Sequence, residues 1–173
     1  MTLNIGDKAV EYSLKNANEE IGGQSLTLDQ SVKENGLVLV FECNHCPYVV
    51  ASVDRMNKMS EYCKSNQIGF VGINSNDASV YANDSFEHMV KRAKNGMPYA
   101  YLYDESQEIA HAYGAKRTPE FFLFDSDNTL VYRGRMDDSP RDPSQVSTSE
   151  LNDAIDAMLD GRSPDITETE SIG

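Results

Sequence analysis

Basic residues are scarce in this chain, as are cysteines and long apolar runs. Against 28 Asp and Glu stand only 15 Lys and Arg, a formal charge of −13. Such a balance argues against nucleic acid and anionic membrane surfaces as partners, and otherwise describes a well-solvated surface. No apolar run approaches the roughly 20 residues that a membrane-spanning helix needs. Three cysteines are too few for a disulfide scaffold, and an odd number leaves one unpaired. The first residues, Met1-Thr2-Leu3-Asn4-Ile5-Gly6, have neither the basic nor the apolar region of an export signal. The expectation is therefore a cytoplasmic protein. Without an internal repeat or a dividing linker, 173 residues are expected to form one domain over 1–161. Residues 162–173, polar and acidic, are expected to be an extended or disordered tail.

What the chain does have is Phe41-Glu42-Cys43-Asn44-His45-Cys46-Pro47-Tyr48-Val49. The run Leu37-Val38-Leu39-Val40-Phe41 before it has the length and β-branched content of a buried strand, and Asn35-Gly36 stops it on the left. After it, a helical pattern runs from about Pro47 to Asn66, with Val49, Val50, Val53, Met56 and Met59 at helical spacing. Two cysteines three apart thus sit at a strand-to-helix junction, with Cys46 beside the helix N-terminus. Free N–H groups and the helix dipole favour an anion there, and the thiolate is the nucleophilic form of cysteine. Cys46 is the candidate nucleophile. Cys43 is either the thiol that resolves an oxidised Cys46 or a small residue filling the strand end.

Elsewhere the chain alternates strand and helix. Val10–Leu14 reads as a short strand, Asn16–Glu20 and Gly22-Gly23 as a turn, and 25–28 as a segment that pairs back. One or two helical turns are expected over 28–34. Ile68–Asn74 is a second apolar strand, and strand, helix, strand is the pattern of a parallel βαβ pair. A helix capped by Asp84 or Ser85 is expected to run to Lys94. A strand follows at 99–103 and a short helix at 106–113. Two strands, 120–124 and 129–133, read as an antiparallel hairpin, and Ser149 or Thr148 caps a last helix, 150–159.

Other side chains admit two readings each. His45 either steadies a neighbouring thiolate while charged or faces solvent. Asn44 orders the loop. Cys63 lies 17 positions after Cys46, about 25 Å along a continuous helix, which makes it a core filler. Cys43, His45 and Cys46 could hold zinc, but no second pair stands at ligand spacing, so neither a metal nor another cofactor is expected.

In its order of elements the chain resembles the thioredoxin fold in its peroxiredoxin-like version, over nearly its whole length. Cys43-Asn44-His45-Cys46-Pro47-Tyr48-Val49 resembles the peroxiredoxin-like branch of the alkyl hydroperoxide reductase/thiol-specific antioxidant superfamily. The resemblance implies a central mixed sheet flanked by helices, with an N-terminal extension and an inserted helix. Counted from Phe41, the first catalytic cysteine of thioredoxins falls on Cys46 and the second on Val49, so the Cys43–Cys46 pair is shifted one step toward the strand. Cys46-Pro47 resembles the nucleophile and following proline of peroxiredoxins, and Cys43 stands where those enzymes usually carry threonine. The resemblance further implies that Thr118-Pro119 is a cis-proline turn against the active cysteine and that Arg117 steadies the thiolate. The activity implied is thiol-dependent oxidoreduction of disulfides or hydroperoxides, with thioredoxin or glutathione as thiol donor and a homodimer as one arrangement. A peptide-binding module without catalysis is the alternative. Relatives of this branch are expected often to run past a glycine into a further cysteine, which a tail of about 14 residues, spanning up to some 45 Å, would bring to Cys46.

Overall fold

The computed structural model describes residues 3–171. Seven strands, β1 (Ser13–Asn16), β2 (Ser25–Thr27), β3 (Gly36–Phe41), β4 (Ile68–Asn74), β5 (Ala100–Tyr103), β6 (Glu120–Phe124) and β7 (Leu130–Gly134), form one sheet. Their order across it is β2-β1-β5-β4-β3-β6-β7. Strands β3, β4 and β5 run parallel, and the remaining pairs are antiparallel. The mixed sheet flanked by helices is the architecture that the order of elements implied. Among the described residues no helix is long and apolar enough to cross a membrane.

Strand β3 lies inside the sheet between β4 and β6, and every one of its residues is buried. Its alternation sorts the core into two layers. Val38 and Val40 face α2 (Pro47–Ser65), α3 (Phe86–Lys94) and α5 (Glu150–Leu159), with Val49, Met56, Met89 and Ile155 in that layer. Leu37, Leu39 and Phe41 face the other layer, with Leu28 of α1 (Leu28–Ser31) and Tyr113 of α4 (Glu108–Tyr113). A strand covered on both faces needs apolar side chains at odd and even positions alike, which is why this segment is an unbroken apolar run. Burial of each such side chain is worth about 1.5–3 kcal/mol.

One segment differs from expectation. The first strand is not Val10–Leu14 but Ser13–Asn16. The Asn16 amide, fully buried, explains the shift. It donates to the carbonyls of Asn18, Ile21 and Gly23 and accepts the N–H groups of Asn18 and Tyr101. A polar residue that satisfies so many backbone groups ends a strand more firmly than apolar alternation predicts. The segment after Gly161 returns to the sheet. Arg133 N–H donates to the Thr167 carbonyl, Thr169 N–H to the Arg133 carbonyl, and Ser171 is buried. Ile172 and Gly173, where a path toward a further cysteine would begin, lie outside the described residues.

Candidate active site

Strand β3 ends at Phe41, and residues 42–46 turn from it into α2. Pro47 opens the helix, where its missing N–H costs nothing and its fixed φ suits the first turn. Cys46 is the N-cap, and its side chain makes no capping hydrogen bond, so the sulfur is left for chemistry. Cys43 and Cys46 are joined as a disulfide, with Cα atoms 6.0 Å apart. Their environments differ. Cys43 is fully buried, and its sulfur accepts the Cys46 N–H at 3.1 Å. Cys46 is partly exposed. An incoming reagent therefore meets the Cys46 sulfur first.

The turn before β6 closes over this pair. Thr118-Pro119 is cis, and the Thr118 hydroxyl donates to the Cys46 sulfur at 3.1 Å and lies 3.7 Å from that of Cys43. Asn44 is held by three hydrogen bonds. Its backbone N–H donates to Asp84 at 2.6 Å, its amide donates to the Asn83 carbonyl, and its oxygen accepts the Tyr101 hydroxyl. His45 Nδ1 lies 2.6 Å from Asp84 Oδ2, a close contact off the angle of a well-aligned hydrogen bond. Its ring stacks on Tyr81 at 5.1 Å. Cys43, His45 and Cys46 bring one donor atom each within 4.8 Å of the others, and with the two sulfurs bonded to each other the oxidised pair offers no thiolate.

Arg117 does not stand at the sulfurs. Its guanidinium donates to the Ser171 carbonyl at 2.9 Å and to Glu170 at 3.4 Å, so the returning tail takes it up. The cation beneath the loop is Arg92 of α3, which donates to the Cys43 carbonyl at 3.2 Å and pairs with Glu42 at 2.5 Å. Glu42 is fully buried, and Gly72 makes room for it: a Cβ there would sit 2.5 Å from its carboxylate. Tyr99 donates to the same carboxylate at 2.8 Å. Burial, and then the Glu42 charge, push the Tyr99 hydroxyl well above its ordinary range, so it remains a donor. Cys63 is a free, buried thiol in the α2-side core, pushed up to about 12 by that burial.

Arg92, Glu42 and Asp84 escape sequence reasoning. Arg92 sits among Lys91 and Lys94 and looks like ordinary cationic decoration of a helix C-terminus. The one available signal is its place three residues after Met89 and one before Ala93, on the flank of the buried face. Asp84 and Ser85 both read in the sequence as candidate caps of α3; Ser85 is the cap, and Asp84 turns inward.

The family model described as Redoxin matches residues 5–154. The chain belongs to the Redoxin family. Among solved structures, this redoxin is similar to an uncharacterized conserved protein from Geobacillus kaustophilus, with 37% identity and a TM-score of 0.87 over 97% of this chain and 87% of that one. It is also similar to a hypothetical protein from Sinorhizobium meliloti 1021, with 34% identity and a TM-score of 0.89 over 100% and 93% of the two chains. A peroxidoxin from Mycobacterium tuberculosis, at 18% identity and a TM-score of 0.60 over 92% and 93%, shares the fold. No curated protein matches the chain. The redoxin is a peroxiredoxin-like protein of thioredoxin fold and, with its Cys43–Cys46 pair, a thiol oxidoreductase.

Proposed function

We propose that this redoxin exchanges disulfides, with Cys46 as the attacking thiol and Cys43 as the resolving one. The observation that carries the reading is the asymmetry of the pair: Cys46 is partly exposed at a helix N-terminus, while Cys43 is buried within bonding reach of it. The Cys46 thiolate attacks one sulfur of the substrate disulfide, forming a mixed disulfide and expelling the other sulfur as a thiolate. The Cys43 thiolate then attacks the Cys46 sulfur, expelling the second substrate thiolate and leaving the Cys43–Cys46 disulfide. Two electrons pass to the substrate, and an external thiol donor such as thioredoxin or glutathione returns them to the pair. Burial suits Cys43 to the second step, which is intramolecular and needs no access from solvent.

The Thr118 hydroxyl donates to the reacting sulfur and orients it. Thr118 also lines a pocket of about 330 Å³ with Phe41, His111, Lys116 and Arg117 among its walls. Hydroperoxides are the second substrate class. The Thr118 hydroxyl favours it, since it could also donate to the oxygen that leaves a peroxide. Disulfides come first because Arg117 is held by the tail instead of by the sulfur. The scarcity of cysteine fits the reducing cytoplasm as the compartment, where a Cys-x-x-Cys pair is catalytic more often than structural.

The test is turnover of glutathione disulfide and of hydrogen peroxide by the reduced protein. Cys46→Ser should abolish both, and Cys43→Ser should halt at a stable mixed disulfide on Cys46, visible by mass. Full activity in Cys46→Ser would refute Cys46 as the attacking thiol, while no turnover of either substrate together with a Cys46 thiol at the ordinary pKa of about 8.5 would leave the non-catalytic peptide-binding module as the better reading.

A further inference from the structure

Asp84 is a carboxylate in an unusual place. It is fully buried at the mouth of the redox loop. It accepts the Asn44 N–H at 2.6 Å and the side-chain amides of Asn74 at 3.0 Å and Asn76 at 2.9 Å. Among the described residues its one ion-pair partner is His45, whose Nδ1 lies 2.6 Å away. A buried carboxylate held by neutral amides alone is costly, and a cation in contact offsets that cost. His45 is the residue between the two cysteines, and a ring nitrogen lies within 4.8 Å of both sulfurs. Tyr81, from the same segment as Asp84, stacks on the ring at 22° and fixes its plane.

We propose that Asp84 is the positioning residue for His45, holding the imidazole as the cation that faces the reduced Cys46 thiolate. This deepens the reading of Cys46 as nucleophile and rests on it. The other charged groups around the loop are engaged elsewhere. Arg92, from α3, meets the Cys43 carbonyl and is matched by Glu42. Arg117 is tied to the tail. Arg141 lies over the Tyr48 ring, 5.5 Å from its centroid. The Tyr101 hydroxyl, raised by burial, stays a neutral donor to Asn44. That leaves His45 as the side chain whose charge can answer a new thiolate at Cys46.

The proposal has a sign that a structural role lacks. Deleting the negative charge of Asp84 would, acting directly, favour the Cys46 thiolate and lower its apparent pKa. Acting through His45, the same deletion removes an oriented cation and raises it. The experiment is the pH profile of Cys46 alkylation by iodoacetamide in the reduced protein, resolved from Cys43 and Cys63 by mass mapping. Asp84→Asn, which keeps an acceptor for the Asn44 N–H, should move the midpoint up by about one pH unit, a roughly tenfold loss of thiolate well below it. His45→Gln should do the same, and Asp84→Asn should add nothing in that background. Tyr81→Leu, at a half-exposed position, should shift it in the same direction and serves if Asp84→Asn does not fold. A midpoint lowered by Asp84→Asn, or raised equally with and without His45, would overturn the proposal. A depressed wild-type midpoint indifferent to all three changes would overturn it too while leaving Cys46 as nucleophile. A wild-type midpoint near 8.5 would instead sink the nucleophile reading.

Discussion

Replacing Arg92 by Met strips one partner from a buried ion pair and leaves the other charged. Glu42 is fully buried, and the Arg92 side chain is 16% exposed. Breaking such a pair costs about 3–5 kcal/mol, because the desolvated charge that remains has lost its compensation. The structure argues for the lower end. Tyr99 still donates to the Glu42 carboxylate at 2.8 Å, and the space vacated beside a partly exposed side chain admits water. The expected loss is about 3 kcal/mol, a sizeable part of the roughly 5–15 kcal/mol that holds a domain folded. In a chain of this size that lowers the melting temperature by about 6–12 °C. Urea unfolding followed by circular dichroism, with the protein kept reduced so that the Cys43–Cys46 bond does not intervene, reads the change as a shifted midpoint at constant slope. The companion is Glu42→Gln/Arg92→Met. With both charges gone, the amide introduced in place of the Glu42 carboxylate can still accept from Tyr99, and about half of the loss or more should return. A single variant within about 1 kcal/mol of wild type, or a double variant as unstable as the single, would refute the reasoning that an uncompensated buried charge dominates.

Other outcomes follow from the same geometry. Cys63, raised to about 12 by burial in the core, should resist iodoacetamide at pH 8 in the folded reduced protein while Cys46 labels, and should label only in urea; equal rates in the folded state would contradict its placement. Gly134→Ala should detach the tail from β7, because φ is +137° and the new Cβ would fall 2.2 Å from the Thr169 hydroxyl. Limited proteolysis should then cut within residues 162–171, and stability should drop by at least about 1 kcal/mol; a tail as protected as in wild type would show that β7 does not hold it. Glu150 accepts from Arg135 Nε and Nη2, both at 2.9 Å, which with a Thr148 hydrogen bond holds its carboxyl below the ordinary 4.5 despite burial. A depressed carboxylate stabilises the fold above its unfolded pKa, and that stability is lost as pH falls through the folded value. Glu150→Gln should therefore cost about 1 kcal/mol at neutral pH, with the gap to wild type closing below pH 4.5 in parallel urea titrations.

Much of the fold can be read from the chain because its central elements carry unambiguous local signals. An apolar run as continuous as 37–41 has few places to go except a strand covered on both faces, and β3 is that strand. The junction of that strand with a proline-led helix is enough to place Cys46 at an N-cap. The edges are less legible. Tyr12 belongs to the alternating segment that reads as the first strand, yet it is buried against α1 through its hydroxyl bond to Ser31. Its apolar signal is real but reports burial, not pairing. The pairing itself begins at Ser13 and is ended by the hydrogen bonds of Asn16, which no periodicity announces. The polar tail reads as extended or disordered without a choice between the two; β7 offers it backbone partners, and hydrogen bonds to a sheet edge need no apolar residues.

The site divides along the same line, between what neighbours in sequence can do and what only the fold can assemble. Cys43, Asn44, His45, Cys46 and Pro47 are legible together because one short stretch contains them. What surrounds them comes from three separate places: Thr118 from the turn before β6, Asp84 from the loop after β4, and Arg92 from α3. A polar residue on a helix end or in a loop has a plausible solvent role in any sequence, and its burial is set by the packing of elements far apart in the chain. The same applies to Arg117, one residue from the turn that touches Cys46 and yet directed at Ser171. Proximity in sequence fixes where a backbone passes, not where a long flexible side chain finds its acceptor. For a redox pair that distinction matters, because the two sulfurs are specified by one short stretch, while the polar side chains packed around them are not.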